Sequence, residues 1–302
     1  MLKKIYSAAK RVIILSRPSI WLYTGGVFIL GTALALSNIE NPSQFYTSHF
    51  IAGFVLYFFW FLIALNIAAN SVNSYYDRKA DAENPRKKKS WMIAEDYDKW
   101  PVFIGLTATA IFFIVISIVS FNLKISAMVA FLFIGTFLYS AYAFRVKNLL
   151  LLDTLLGAVV YVVPLLSGYI FVADNWPNFL WIIIAFLYFG ATEFYAKIVD
   201  IESDRASGEK TSATILGKQK SLLVCVAAMI IVGFTLSFGA RPIYGLVVVV
   251  PLSIFIFSLF IKDHDFLLKF YLKTMVIYNI WGFVVTSYFI IPLIAKIFNN
   301  LI

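Results

Sequence analysis

The sequence predicts an all-α polytopic membrane protein: nine transmembrane helices, in two pseudo-repeated four-helix halves around a central cavity, with the ninth helix at the end. Three observations predict it. Of the 302 residues, 61% are hydrophobic and only 14% charged, against roughly 25% charged in a soluble domain. The apolar residues fall in runs of about 20, the length a helix needs to cross a hydrocarbon core. These runs are continuously apolar and do not alternate over ~10 residues as the strands of a membrane barrel do. Inside a bilayer every backbone N–H and C=O must be satisfied internally, so helices remain.

The first segment, Met1 to Val12, is basic (Lys3, Lys4, Lys10, Arg11) and lacks a small-residue cleavage site. It reads as an interfacial segment, not a signal peptide. The spans follow at about Ile20–Ser37, Phe50–Asn73, Val102–Phe121, Ile125–Phe144, Leu150–Val172, Phe179–Val199, Leu222–Phe238, Tyr244–Ile261 and Phe270–Ile297. Asn41-Pro42, Trp100-Pro101, Trp176-Pro177 and Arg241-Pro242 mark junctions, and Trp residues near span ends fit an aromatic belt. With the N-terminus in the cytoplasm, only Lys124, Arg241 and Lys296 of the 25 Lys and Arg fall outside. The positive-inside rule thereby predicts a cell-membrane protein with its C-terminus outside. The whole chain, 1–302, reads as one integral-membrane domain. The net charge of +9 is topological, so nucleic acid is not expected as a partner and membrane lipid is. Cys225, the single cysteine, stands in an apolar run as a small buried hydrophobe. His49 and His264 have no partner at ligand spacing.

Two acidic motifs interrupt this apolar pattern, both on the inner side and four spans apart. The first reads N-S-Y-Y-D-R-K-A-D, with Asn73, Asp77 and Asp81 at i, i+4 and i+8. On one helix these share a face, where like charges repel. They suit a divalent cation, since Mg²⁺ takes one or two carboxylates and fills its other sites with water and substrate phosphates. The second reads D-I-E-S-D, with Asp200 and Asp204 at i, i+4 and Glu202 on another face; Gly208 is placed to end that helix. A solvated helix end explains one such motif. Two at matching positions point to function, as ionisable residues at membrane depth generally do. Arg86 and the lysines after it, Arg145 and Lys147 flank the same face, and Arg17 sits at a span end.

This pairing suits Mg²⁺ bridging a diphosphate, which leaves an allylic carbon in a water-free cavity where aromatic faces stabilise a cation. The residues also resemble the UbiA superfamily of intramembrane prenyltransferases. The first motif matches its N-x-x-x-D-x-x-x-D and continues into Asn84-Pro85; the second matches D-x-x-x-D and continues into Thr211 and Leu216-Gly217. Within the family the chain is most similar to the lycopene elongase branch. That likeness lies in Ser16-Arg-Pro-Ser-Ile-Trp-Leu-Tyr23, Asn84-Pro-Arg-Lys-Lys88, Tyr139-Ser-Ala141 through Arg145-Val-Lys147 and Asp153, and Asp200 to Arg205 with Thr211 to Thr214.

The resemblance implies Mg²⁺ dependence, an isoprenyl diphosphate donor (dimethylallyl diphosphate favoured) and a hydrophobic polyene acceptor such as lycopene. It implies Asn73, Asp77, Asp81, Asp200 and Asp204 as metal-diphosphate residues, with Tyr139 facing the cation. Arg17, Arg86, Arg145, Lys147 and Lys197 are the candidate diphosphate cations. Lys197 departs from the branch, which has a small residue there. Two readings stay open for it: neutralisation by Glu193 at i, i+4, or contact with diphosphate. Alternatives for the whole chain are an aromatic or glycerol-phosphate lipid acceptor, and a transporter, for which broken helices in inverted repeats are expected.

Overall fold

The computed structural model describes residues 2–39, 47–84, 93–120, 122–140, 149–150 and 152–299. Among them, nine helices are long and apolar enough to cross a membrane: Pro18–Ser37, Ser48–Tyr76, Asp96–Ile118, Leu123–Ser140, Leu152–Ala173, Phe179–Val199, Lys218–Gly239, Pro242–Phe260 and His264–Pro292. Each lies on one of the nine runs read from the sequence. The chain is an integral membrane protein. It divides into two compact units, one of residues 1–145, 163–177 and 289–302, the other of 146–162 and 178–288.

In the first unit, helix α1 (Leu2–Leu15) precedes α2 (Trp21–Ser37). Arg11 of α1 donates through Nε to both carboxylate oxygens of Asp98 at 2.9 Å, and through Nη2 to the Ile93 carbonyl at 2.6 Å. Asp98 is fully buried, so removing either partner strands a charge. The Asp98 hydrogen bond raises the Arg11 pKa above its usual value. The N-terminal segment is therefore fastened to the start of α6 (Lys99–Ser120).

The second span is not a plain helix. α3 (Ser48–Phe59) runs into two π-helical stretches, Trp60–Ala64 and Ile67–Ser71, then α4 (Val72–Tyr76). A π turn leaves carbonyls to other donors. Asn66, buried, donates to Thr24 Oγ1 at 2.7 Å and to the Leu62 carbonyl at 2.9 Å. Asn70 donates to Asn66 Oδ1 at 2.9 Å. Below this polar ladder, aromatic side chains pack on one another, with Phe28 and Phe61 stacked at 5.2 Å and Tyr57 against Phe171 at 5.7 Å.

The helices α7 (Leu123–Ser140) and α8 (Leu152–Ala173) follow. The later turns of α8 press on α2 through glycine. A Cβ at Gly168 would stand 2.1 Å from the Phe28 carbonyl oxygen, and one at Gly31 would stand 2.0 Å from the Leu165 carbonyl oxygen. Small residues give membrane helices this approach. Gly168→Ala is expected to force α2 and α8 apart and to cost about 1–3 kcal/mol, the usual range for overpacking. The check is loss of the monodisperse fraction on heating in detergent, with Gly282→Ala, where nothing stands within 4 Å of the added carbon, as the neutral control.

The second unit holds α9 (Phe179–Val199), α10 (Ile201–Ala206), α11 (Ser212–Leu216), α12 (Lys218–Gly239), α13 (Val249–Phe260) and most of α14 (His264–Asn299). Its core joins Phe194, Tyr195 and Ile198 to Met229 and Phe255. The Tyr195 hydroxyl is 2.8 Å from Ser258 Oγ, so its polar tip is satisfied. Cys225 is fully buried in the same core, as the sequence predicts.

Candidate active site

In each acidic motif the first aspartate stands at a break between a spanning helix and a six-residue helix. Asp77 stands between α4 and α5 (Arg78–Glu83), with φ −91° and ψ 5°. Asp200 stands between α9 and α10, with φ −93° and ψ 3°. The sequence predicts an unbroken helix through the first motif, and the structure corrects that. Both residues sit in the sparsely populated bridge region, where active-site residues often occur. The i, i+4 bonds survive across the first break, whereas at the second the Asp200 N–H turns to the Lys197 carbonyl, three residues back, at 3.2 Å. Asp77 N–H donates to the Asn73 carbonyl at 2.9 Å, Asp81 N–H to Asp77 at 2.7 Å, and Asp204 N–H to Asp200 at 2.8 Å. The one-turn carboxylate spacing is therefore kept.

In the first motif Asp77 and Asp81 are 8% and 4% exposed, low values for two carboxylates one turn apart. Asn73 Oδ1 accepts from Ser140 Oγ at 3.1 Å, which brings the end of α7, and with it half-buried Tyr139, to the motif. Ser140 went unassigned in the sequence, although the Tyr139-Ser140 pair was its signal. Arg17 adopts a left-handed conformation, φ 57° and ψ 71°, unfavourable for a residue with a Cβ and rarer still before proline. Its Nη2 reaches Ser74 Oγ at 3.4 Å. Arg86, Arg145 and Lys147 lie outside the described residues.

In the second motif Asp200 and Asp204 are half-buried. Thr211 Oγ1 donates to Asp204 Oδ2 at 3.2 Å and caps α11 by accepting from Thr214 N–H at 3.4 Å. Gly208, φ 76°, closes α10 as expected. Glu209 N–H returns to the Asp204 carbonyl at 2.8 Å and Gly208 N–H to Arg205 at 3.1 Å, a Schellman closure. Glu202 is exposed, with His264 Nδ1 at 3.7 Å, and stays apart from the carboxylate pair. Lys197 ion-pairs with Asp153 of α8 at 3.2 Å. Asp153 thus gives Lys197 a cross-helix counter-charge, and Glu193 packs against Gly157.

Among the described residues no cluster of three or more His, Cys, Asp or Glu converges. Each motif supplies two carboxylates, with an amide oxygen besides in the first. This oxygen-only set fits Mg²⁺, whose remaining sites go to water and phosphate. It does not fit zinc, which favours four-coordinate sites with His and Cys prominent among its ligands.

The chain belongs to the UbiA prenyltransferase family, whose sequence pattern matches residues 27–280. It is 28% identical over 236 residues to a lycopene elongase/hydratase of Haloarcula japonica, covering 78% of this chain and 76% of that one. It is 28% identical over 246 residues to a lycopene elongase/hydratase of Halobacterium salinarum, covering 76% and 83%. A UbiA homolog from Archaeoglobus fulgidus bound to DMAPP and Mg²⁺ shares the fold with TM-score 0.60 at 18% identity, over 92% of this chain and 99% of that chain. A UbiA homolog from Aeropyrum pernix shares it with TM-score 0.58 at 17% identity, over 95% and 99%.

Proposed function

We propose that this prenyltransferase moves an allylic prenyl group from its diphosphate, dimethylallyl diphosphate in the first instance, to the end of a carotenoid-like polyene such as lycopene. The observation that carries the reading is the pair of acidic motifs, each with its first aspartate at a helix break of the same backbone conformation. The matching breaks also support two related four-helix halves within one domain, 1–302. Asn73, Asp77, Asp81, Asp200 and Asp204 would hold Mg²⁺ and, through it, the donor diphosphate. Mg²⁺, when bound, neutralises the diphosphate charge. The donor C–O bond breaks with its electron pair leaving on diphosphate. The terminal double bond of the polyene attacks the allylic cation, and the new cation either loses a proton or takes up water, which then releases a proton to leave a hydroxyl. Arg17, Arg86, Arg145, Lys147 and Lys197 supply charge to the diphosphate, and Tyr139 faces the allylic cation. The distribution of Lys and Arg supports a cytoplasmic N-terminus and active site in the cell membrane, and an outer C-terminus.

The acceptor rests on the carotenoid relatives. Pigments extracted from a lycopene-accumulating host, with and without this gene, test it. The expected result is lycopene lengthened by one or two prenyl units, and product mass reports whether water was added. Unchanged lycopene, together with prenylated quinone precursor or glycerol-phosphate lipid, would move the acceptor to another class.

A further inference from the structure

Asp153 is fully buried in the first turn of α8. Its Oδ2 takes Lys197 Nζ at 3.2 Å and Ser212 N–H at 3.0 Å. Its Oδ1 accepts from Thr154 N–H at 2.8 Å and from the Ser212 hydroxyl. One carboxylate thus joins the start of α8, the last turn of α9 and the start of α11. Those two latter points flank the second acidic motif on either side.

Helix packing fixes this meeting. α8 and α9 run antiparallel, and side chains one turn apart face each other in a constant register. Asp153 meets Lys197, Gly157 lies against Glu193, and Tyr161 stacks on Phe189 at 5.5 Å. Gly157 leaves room there, since a Cβ would stand 3.0 Å from Glu193 Oε2. Lys197 is in turn one helical turn ahead of Asp200. Buried ion pairs contribute little net stability compared with apolar side chains, so stability alone is a weak reason for a buried carboxylate at this place.

We infer that Asp153 is a positioning residue for the transfer reaction: it holds the Lys197 ammonium and the Ser212 end of the motif loop in place for the donor diphosphate. The inference rests on the prenyltransfer reading of the same site. Asp153 itself touches no substrate and acts through Lys197 and the loop.

A double-mutant cycle in donor kinetics tests it, using full-length protein in liposomes with Mg²⁺, dimethylallyl diphosphate and lycopene. Lys197→Met is expected to raise the donor KM by about tenfold or more, the range for a hydrogen bond to a charged group. Asp153→Asn shifts KM in the same direction, and the double variant falls clearly short of the product of the single effects, because coupled residues are not additive. Asp153→Glu, which keeps the charge but displaces it, also raises the donor KM and serves if Asp153→Asn does not fold. A purely structural Asp153 would lower thermal stability while donor KM stayed within about twofold, or would give a double variant at the product of the single effects; either result overturns the inference. If wild-type protein releases no diphosphate from any isoprenyl donor, the prenyltransfer reading falls first. If wild type turns over and the cycle is additive, the inference alone falls.

Discussion

Asp77→Ala and Asp200→Ala each lower Mg²⁺-dependent diphosphate release by about 10³-fold or more, while the protein still inserts and keeps its helical content. A metal supplies several kcal/mol of charge stabilisation in such a step, and each 1.36 kcal/mol is a factor of ten in rate. Each motif offers only two carboxylates, so losing one removes half of its anionic ligands. Asp77 and Asp200 hold the two helix breaks, and the C=O of each accepts the N–H of the second aspartate of its motif one turn on. Alanine also tolerates this conformation, so the loss falls on the carboxylate and not on the fold. Glu202→Ala, on the exposed face beside His264, is the control and leaves the rate within about twofold, as surface changes away from a site usually do. Full activity in both aspartate variants would remove the two motifs from the chemistry.

The second large effect is at Arg17. Its left-handed backbone ahead of Pro18 costs about 1–2 kcal/mol, and such strain persists where the surroundings impose it, often at functional sites. The guanidinium is spent on a long bond to Ser74, the neighbour of Asn73. Arg17→Gly removes the side chain and the strain together. Thermal stability is then expected to hold or rise, while donor KM climbs about tenfold or more, the worth of a charge-assisted hydrogen bond to phosphate. Opposite movement of stability and donor affinity is the signature. If stability falls and KM does not move, Arg17 is a structural cap on the start of α2. Lysine is a poor substitute here, since it lacks the planar fork that matches phosphate and still carries the strain.

Much of this was legible in the sequence. Continuous apolar runs locate all nine spans, because a lipid-facing helix must be apolar over its whole length, and the i, i+4 acidic spacing survives in the structure. Asp77 and Asp200 show what was not legible. Each break keeps its first aspartate's carbonyl bonded to the N–H of the second aspartate, and neither hydrophobic period nor any glycine or proline marks it. The π stretches around Asn66 are hidden in the same way, since they add carbonyls to be satisfied without changing the apolar pattern; the buried Asn66 and half-buried Asn70 were the trace they left. Asp153 and Lys197 needed a different kind of reading. Their pairing follows from an antiparallel register, and the two residues lie at similar distances from the Trp176-Pro177 turn. The nearer Glu193 concealed that symmetry.

The most direct measurement is turnover by purified protein in liposomes, supplied with labelled dimethylallyl diphosphate and lycopene, with Mg²⁺ present or chelated. The expected result is Mg²⁺-dependent release of diphosphate matched by label in a lengthened polyene, lost on chelation and in Asp77→Ala and Asp200→Ala. Label entering the polyene at the same rate without divalent metal, or in either aspartate variant, would contradict it.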